Sequence, residues 1–186
     1  MTVFIFLAEG FEETEAVATI DILRRGGLDV LTVSVTGRDK VIGAHGIAVV
    51  ADQLFDEAGF STDDVLVLPG GNPGTENLNA HTGLRTALLR HHHEGGRMAA
   101  ICAAPSILGE LELLKGKRAT VYPGYEDSLK GATVIEDAPV VKDGNLITAK
   151  GPGMAFDFGL TIVSELMGQE KADQVAAGML LKEIKK

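Results

Sequence analysis

Short apolar runs alternate with amphipathic segments along the chain. Residues 1–7, 28–35, Val65–Leu68 and 98–101 are rich in β-branched and apolar side chains and are predicted to be strands. The uninterrupted run Val65–Leu68 is typical of a strand that is buried on both faces of a parallel sheet. A first helix is predicted from the apolar stripe formed by Ala16, Val17, Ile20 and Leu23, and Gly26 and Gly27 close it.

The rest of the chain continues this alternation. Further helices are predicted over residues 82–94, 106–114, 154–166 and 170–184. Weaker strands are predicted at 118–122 and 133–135, with a hairpin-like excursion at 36–46 and a hairpin at 140–147 turning on Asp143 and Gly144. Strands that alternate with helices predict an α/β fold in which a mostly parallel sheet lies between two helical layers.

Composition narrows the class of protein. The 186 residues are 45% hydrophobic but only 5% aromatic, which predicts a core of Val, Ile, Leu and Ala. The 17 Lys and Arg against 26 Asp and Glu give a net charge of −9, so no basic surface is expected and nucleic acid is not an expected stable partner. The length favours one domain over residues 1–186.

Cysteine usage and hydropathy bear on the compartment. A lone cysteine, Cys102, can form neither an internal disulfide nor a cysteine-rich zinc site, and a cytoplasmic location is expected. The apolar residues 3–7 follow no basic residue and precede no small-residue cleavage site, so they are interpreted as a first strand and not as a signal peptide. No apolar stretch reaches the ~18 residues of a membrane span.

Cys102 stands where the strand at 98–101 must end and a helix begins at Pro105. Ligands of open α/β sheets collect at the carboxyl ends of strands, and unpaired N–H groups at a helix start favour a thiolate. The alternative is an inert, buried cysteine, which is the commoner state of a free cysteine. The turn position, the missing helix cap and a nearby glycine loop favour the reactive thiol.

The N-terminus of the helix is not expected to lower the pKa of the Cys102 thiol far enough by itself. Lowering a thiol pKa from about 8.5 by about 3 requires about 4 kcal/mol. A helix N-terminus supplies about 0.3–2 kcal/mol of this, and a hydrogen bond to a charged group supplies about 1.5–3 kcal/mol. A hydrogen-bond donor is therefore expected beside Cys102.

Histidine does not supply that donor in the usual positions. His45, His81, His91, His92 and His93 all precede Cys102, which excludes an amidotransferase triad in the order Cys, His, Glu. Ala103 follows the cysteine where a peptidase of similar architecture would have histidine. The run 91–93 lacks metal-binding spacing and is interpreted as a solvated helix end, so no metal site is expected.

A protonated carboxylic acid is the alternative donor. Glutamates 9, 12, 13 and 15 surround the first turn of the first helix, where acids commonly answer the helix dipole. Glu15 lies at the flank of the apolar stripe near Thr19 and Ile22, while Glu13 lies closer to its centre, so either is a candidate. A buried carboxyl beside a thiolate would keep its proton, and the two groups would titrate as a pair.

The loop after Val65–Leu68 contains Gly70 and Gly71, which match neither a dinucleotide nor a triphosphate motif. The loop is at least a tight turn. Its glycines would also allow backbone N–H groups to approach a substrate oxygen and, with the N–H of Ala103, to form an oxyanion hole.

Four motifs at matching spacing resemble the ThiJ/PfpI superfamily, and within it the branch of parkinsonism-associated deglycase-like, glyoxalase III-type proteins. They are AEGFEETE at residues 8–15, VLPGGN at 67–72, AAICAAP at 99–105 and TAKGPG at 148–153. The resemblance implies a flavodoxin-like three-layer sandwich, a homodimer, and a redox-sensitive nucleophile at Cys102 on a strand-turn-helix elbow. It also implies Glu15, and not Glu13, as the protonated acid, with Gly71 and Ala103 as oxyanion donors.

Two positions depart from the family pattern. Tyr122 stands where several relatives have histidine, and His45 where some have an arginine contributed across the dimer. Together with Gly70 and Asn72, these residues are expected to line the pocket and to influence substrate choice.

The resemblance implies two functions of different kinds. The first is a cofactor-independent glyoxalase or deglycase that acts on methylglyoxal, glyoxal or their early adducts through a Cys102 hemithioacetal, with Glu15 as proton relay. The second is a redox sensor or chaperone whose Cys102 is oxidised to a sulfinic acid without turnover. A peptidase ranks third because the histidine it needs is missing.

Overall fold

The computed structural model describes residues 1–181, which fold into helices around a central sheet. The strands, in chain order, are β1 (Val3–Leu7), β2 (Val30–Ser34), β3 (Lys40–Ile42), β4 (Ala48–Val50), β5 (Gln53–Leu54), β6 (Val65–Leu68), β7 (Arg97–Ile101), β8 (Arg118–Ala119), β9 (Thr133–Val134), β10 (Val140–Asp143) and β11 (Leu146–Ala149). The α-helices are α1 (Glu13–Arg25), α2 (Gly74–Ala80), α3 (Thr82–His93), α4 (Pro105–Glu110), α5 (Ala155–Met167) and α6 (Gln169–Gly178).

The central sheet has seven strands in the order β10-β11-β7-β6-β1-β2-β5. All neighbours pair in parallel except β10, which pairs antiparallel with β11 at one edge. Strands β1, β6 and β7 therefore lie side by side in the middle, and the loops that follow them meet at one edge of the sheet. The three loops singled out by sequence are these loops.

Alternation along β1 divides the core between two faces. Val3, Ile5 and Leu7 pack into one cluster with buried residues of α1, α5 and α6. Phe4 and Phe6 point the other way, into a cluster with buried residues of α2, α3 and α4. Helices therefore cover both faces, and the predicted flavodoxin-like three-layer sandwich is confirmed.

The predicted excursion after β2 is a hairpin formed by β3 and β4. It docks on the loop between β1 and α1, because the Gly10 N–H donates to the Ile42 carbonyl at 2.8 Å and the Ala44 N–H to the Phe11 carbonyl at 2.9 Å. This contact places the tip of the hairpin beside the first turn of α1.

The predicted apolar stripe of α1 was wrong in one position. Val17 is 47% exposed, whereas the buried side of the helix includes Glu13, Glu15, Thr19 and Ile22. The predicted centre of the stripe was inferred from apolar residues alone, whereas two of the buried residues are glutamates. Their burial serves local hydrogen bonding and not hydrophobic packing.

Several predicted boundaries also differ. Helix α2 was not predicted, because Pro73 and Gly74 at its start resemble a continuing turn, yet a proline is tolerated there since it needs no helical N–H partner. Helix α4 ends at Glu110, before the predicted 114, and β8 ends at Ala119, before the predicted 122. Asp143 belongs to β10, so the hairpin turns on Gly144 and Asn145. Helix α6 ends at Gly178; of the predicted helix 170–184, residues 182–184 lie outside the described residues.

Within residues 1–181, none of the helices combines the length and the apolar character required to traverse a lipid bilayer.

Candidate active site

Cys102 occupies the turn between β7 and α4 with a backbone φ of +64°. This left-handed conformation is unfavourable for a residue with a side chain and costs about 1–3 kcal/mol. Hydrogen bonds on both sides hold it in place: the Cys102 N–H donates to the Ala149 carbonyl at 2.9 Å, and the Tyr122 N–H donates to the Cys102 carbonyl at 2.8 Å. The predicted elbow is present, and hydrogen bonds to β11 and to the segment after β8 hold its strained backbone conformation.

Two backbone amides face the sulfur of Cys102. The N–H groups of Gly71 and Ala103 act as its hydrogen-bond donors and favour the thiolate. Helix α4 begins at Pro105, and its N-cap residue, Ala104, provides no side-chain cap, in agreement with the sequence. The residues predicted as oxyanion donors are therefore placed beside the reactive atom.

Glu15 is fully buried in the first turn of α1 and reaches under the glycine loop. Its Oε2 accepts a hydrogen bond from the Gly70 N–H at 2.8 Å. Its Oε1 is buried without a hydrogen-bond partner of normal geometry among the described residues, while the Cys102 thiol lies close enough to interact with this carboxyl. Burial raises the pKa of Glu15 from 4.5 to about 7, although the contacts with Cys102 and Gly70 act in the opposite direction.

The thiol is not activated by its helix end alone. Burial, and then the charge of Glu15, raise the pKa of Cys102 from 9.0 to about 12, against the influence of the Gly71 and Ala103 amides. This differs from a simple lowering of the thiol pKa at a helix start. A thiolate at neutral pH requires that Glu15 keep its proton, because the carboxylate charge then disappears and the acid O–H becomes a donor to sulfur.

Cys102 and Glu15 are therefore expected to titrate as a coupled pair that loses its first proton near pH 7 and then shares the remaining proton between sulfur and carboxyl. The Gly70 amide stabilises the charge on the carboxylate, whereas two amides stabilise the charge on sulfur. The buried Oε1 has no donor of its own, which is the situation expected of an oxygen that carries the proton itself.

The glycines of the loop after β6 allow its backbone to lie close to the start of α1 and to Cys102. A side chain on Gly71, whose φ is +97°, would collide with the backbone nitrogen of Glu12. The Glu12 N–H also donates to the Gly70 carbonyl at 2.9 Å, which links the loop to the start of α1. The loop after β6 and the loop after β1 are thus held together around Cys102.

A cleft of about 390 Å³ opens above Cys102, a volume suited to a small molecule. Of the pocket residues predicted from sequence, Asn72, Tyr122 and His45 line this cleft, whereas Gly70 is buried beneath it. Four lining residues were not predicted as pocket residues: Glu12, Ala44, Tyr125 and Pro152. Only the folded arrangement brings these four together, although Glu12 belongs to the acidic motif noted in the sequence.

Glu13, the rival of Glu15 on helix geometry, is buried on a different side of the site. Its Oε1 accepts from the N–H groups of His45 at 2.7 Å and Ile47 at 3.2 Å, and its Oε2 lies 2.8 Å from His45 Nδ1. Glu13 therefore anchors the tip of the β3–β4 hairpin. The structure brings Glu15, and not Glu13, to the sulfur.

Metal-ligating side chains converge at one place in the described part of the chain. Glu12, Glu13 and His45 bring ligand atoms within 4.8 Å of one another, and the hydrogen bonds between Glu13 and His45 account for much of this grouping. The predicted solvated run 91–93 was partly wrong, because His91 is buried and its Nε2 lies 3.1 Å from the Arg97 carbonyl oxygen.

Residues 1–165 match the DJ-1/PfpI family.

The chain belongs to the DJ-1/PfpI family.

Relatives in the DJ-1/PfpI family cover nearly the whole chain. DJ-1 homolog A of Arabidopsis thaliana is 42% identical over 184 residues, a match that covers 97% of this chain but 47% of that protein, so the chain spans about half of this longer relative. A protein of Caenorhabditis elegans described as a glutathione-independent glyoxalase is 34% identical over 175 residues, covering 93% of this chain and 92% of the relative. One relative of this chain is therefore described as a glyoxalase.

Solved structures of the DJ-1/PfpI family agree with the fold. A DJ-1 superfamily protein from Salmonella typhimurium has a TM-score of 0.90 at 37% identity, over 96% of this chain and 97% of the other. The oxidized form of Toxoplasma gondii DJ-1 has a TM-score of 0.90 at 34% identity, with the same coverage.

Proposed function

We propose that this protein is a cysteine-dependent, cofactor-independent glyoxalase that converts methylglyoxal or glyoxal to the corresponding hydroxy acid. The observation that carries the proposal is the burial of the Glu15 carboxyl against Cys102 below an open cleft. Such a pair supplies a nucleophile and a proton carrier in one place. The glyoxalase among the relatives supports the same chemistry.

The first step is attack of the Cys102 thiolate on the aldehyde carbon. A carbon–sulfur bond forms, and the π electrons of the carbonyl move onto its oxygen. The N–H groups of Gly71 and Ala103 stabilise that oxyanion as it develops. Glu15 then donates its proton to the oxygen, which gives a neutral hemithioacetal and a carboxylate.

The second stage moves hydrogen between the two carbons of the substrate. The Glu15 carboxylate removes the proton from the carbon bonded to sulfur, and the resulting enediolate is reprotonated on the neighbouring carbon by the same acid. The hydroxyl proton of the first carbon passes to the second oxygen, which leaves a thioester of the hydroxy acid.

Hydrolysis closes the cycle. Water adds to the thioester carbon, the carbon–sulfur bond breaks, and the hydroxy acid leaves with the Cys102 thiol regenerated. The thiol passes its proton to Glu15, which restores the starting pair, and the acidic proton of the product goes to solvent. Early methylglyoxal adducts of cysteine, lysine or arginine present a comparable carbon to Cys102, so deglycation is proposed as a second outcome of the same attack.

Product analysis by NMR tests this function. Wild-type protein incubated with methylglyoxal is expected to form lactate, whereas Cys102→Ser and Glu15→Gln lose this product. Asp21→Asn provides a matched control, because Asp21 is an exposed acid on the same helix that pairs with Arg25. Lactate formation that survives in Glu15→Gln would contradict the mechanism.

A second candidate function is redox sensing. The amides and the acid that surround the Cys102 sulfur are also suited to stabilise a sulfinate, and one similar structure is described as oxidized. In this case hydrogen peroxide supplies two oxygen atoms to the sulfur in two steps and is reduced to water. No lactate from wild type, together with ready addition of two oxygen atoms at Cys102 in intact-mass spectra, would favour the sensor.

We further propose that residues 1–186 act as one domain, as a homodimer in the cytoplasm. The lone cysteine and the resemblance to its family motivate these proposals. Light scattering of the purified protein tests the dimer directly, and a monomeric mass would contradict it.

A further inference from the structure

Glu12 is a second carboxylate in the cleft, and the proposed mechanism does not use it. It lines the same cleft as Cys102 although it is only 8% exposed. It stands at the N-cap of α1, one helical turn before Glu15. A carboxylate held almost out of solvent at the wall of a ligand-sized cleft is expected to interact with whatever enters that cleft.

The two oxygens of Glu12 have different surroundings. Its Oε1 accepts the Thr14 N–H at 3.2 Å and so caps the helix. Its Oε2 lies 3.2 Å from His45 Nδ1, but that nitrogen lies closer to Glu13 Oε2, at 2.8 Å. One Nδ1 proton satisfies the nearer carboxylate first, which leaves Glu12 Oε2 as an acceptor for a group in the cleft.

The charges of the residues that line the cleft also disfavour an anionic ligand. The residues that line the cleft are Glu12, Ala44, His45, Gly71, Asn72, Cys102, Ala103, Tyr122, Tyr125 and Pro152, and they include neither lysine nor arginine. His45 is the one lining residue that can become cationic, and it is shared between two carboxylates. With the Glu12 carboxylate and the single negative charge of the Cys102–Glu15 pair, the cleft is a poor environment for an anion.

We propose that Glu12 is a specificity-determining residue that favours substrates carrying an ammonium or guanidinium group and rejects anionic aldehydes. This inference rests on the proposed function for its chemistry. A carbonyl adduct of an amino or guanidino group would direct a cationic N–H at Glu12 Oε2 while its reactive carbon reaches Cys102. An anionic 2-oxoaldehyde such as 4,5-dioxopentanoate, whose carboxylate is separate from the reacting carbons, would meet like charge instead.

The test uses Cys102 as a reporter, since it is the only cysteine of the chain. Methanethiosulfonates with an aminoethyl (cationic), sulfonatoethyl (anionic) or methyl (neutral) group react at their sulfenyl sulfur: the thiolate takes up the alkylthio group to form a disulfide, and the bond between the two reagent sulfurs breaks to release methanesulfinate. Rates followed by intact mass give a cation-to-anion ratio, and the neutral reagent corrects for changes in thiol reactivity. Wild type is expected to exceed the ratio of a short free cysteine peptide by about tenfold or more.

Variants distinguish the effect of the Glu12 charge from that of the net charge of the protein. Glu12→Gln, which keeps an oxygen for the helix cap, is expected to lower the ratio about tenfold, and Glu12→Asp, which keeps charge and capping, to restore much of it. Glu76→Gln removes the same charge from an exposed position outside the cleft and is expected to leave the ratio as in wild type. An unchanged ratio in Glu12→Gln, or an equal fall in Glu76→Gln, would overturn the proposal.

The reagents require no turnover, so this test is independent of the glyoxalase activity. In a parallel substrate assay, Glu12→Gln is expected to raise kcat/KM for the anionic 2-oxoaldehyde 4,5-dioxopentanoate relative to that for methylglyoxal. If wild type converts neither aldehyde, the proposed function fails while the reagent ratio still decides the role of Glu12. If it converts both and Glu12→Gln leaves their relative kcat/KM unchanged, the specificity proposal fails alone.

Discussion

Gly70 and Cys102 approach so closely that a Cβ atom on Gly70 would lie 2.6 Å from the Cβ of Cys102 and 2.9 Å from Glu15 Oε2. The glycine therefore sets the distance between the loop after β6 and the elbow after β7. It also donates the amide that orients the buried carboxyl.

Gly70→Ala is expected to separate the acid from the thiol. The added methyl group must displace Cys102 or Glu15 in a well-packed region, which costs about 1–3 kcal/mol of unfolding free energy. We expect urea unfolding to show this loss and the alkylation of Cys102 to slow at neutral pH. Gly59→Ala is the matched control, because a Cβ at position 59 meets open space; equal behaviour of the two variants would contradict the account.

The stability of the protein should depend on pH through Glu15. The unfolded chain loses this proton near pH 4.5, whereas the folded protein keeps it to about pH 7. The unfolding free energy that this group contributes is fully present below pH 4.5 and falls by about 3 kcal/mol as the pH rises to 7, whichever atom of the pair becomes charged.

Urea unfolding of wild type and Glu15→Gln across this pH range checks the dependence on Glu15. Glutamine does not titrate, so the variant is expected to have a flatter profile than wild type between pH 4.5 and 7. Parallel profiles for the two proteins would mean that Glu15 ionises at an ordinary pH.

Glu13 is expected to stabilise the hairpin tip and not the chemistry. Burial acts to raise its pKa, but hydrogen bonds from His45 and Ile47 hold the pKa of Glu13 below 4.5. Glu13→Ala should therefore cost about 1–3 kcal/mol at neutral pH. This difference should begin to shrink as the pH falls below 4.5, where the unfolded chain takes up the proton, and it should be lost as the pH falls through the lower pKa of the folded carboxyl.

Hydrogen exchange locates the effect of Glu13. The amides of His45 and Ile47 are expected to exchange faster in Glu13→Ala, since each loses its acceptor. Asp21→Ala, which removes an exposed ion pair on the same helix, should change stability by less than about 1 kcal/mol. Unchanged protection at His45 and Ile47 would exclude the anchoring role.

The layered sheet and the elbow were predictable from sequence because they rest on local signals. The run Val65–Leu68 is buried on both faces as predicted, and Pro105 does begin a helix. The hydrophobic pattern failed where tertiary contacts decide whether a side chain is buried. Val17 has an apolar side chain on an exposed face, and Glu13 has a charged one on a buried face, so the periodicity of α1 indicated the wrong centre.

The site was predictable only in part for the same reason. Cys102 and Gly71 were predictable because their residue types are informative at a strand end. Helix geometry left Glu13 and Glu15 as alternatives, and only the family resemblance implied Glu15. The cleft position of Tyr125 depends on a turn after β8, and that of Ala44 depends on the docking of the β3–β4 hairpin. Such placements arise from long-range contacts that sequence spacing does not encode.

The most direct test of the account is a pH titration of the Cys102 thiolate by its ultraviolet absorbance, taken as the difference between wild type and Cys102→Ser. If Glu15 retains the shared proton, the thiolate signal in wild type should develop with an apparent pKa at or below about 7, and it should shift upward in Glu15→Gln. A wild-type signal that appears only as the pH approaches 12 would mean that the carboxyl loses the proton and the sulfur keeps it, which would contradict the proposed mechanism.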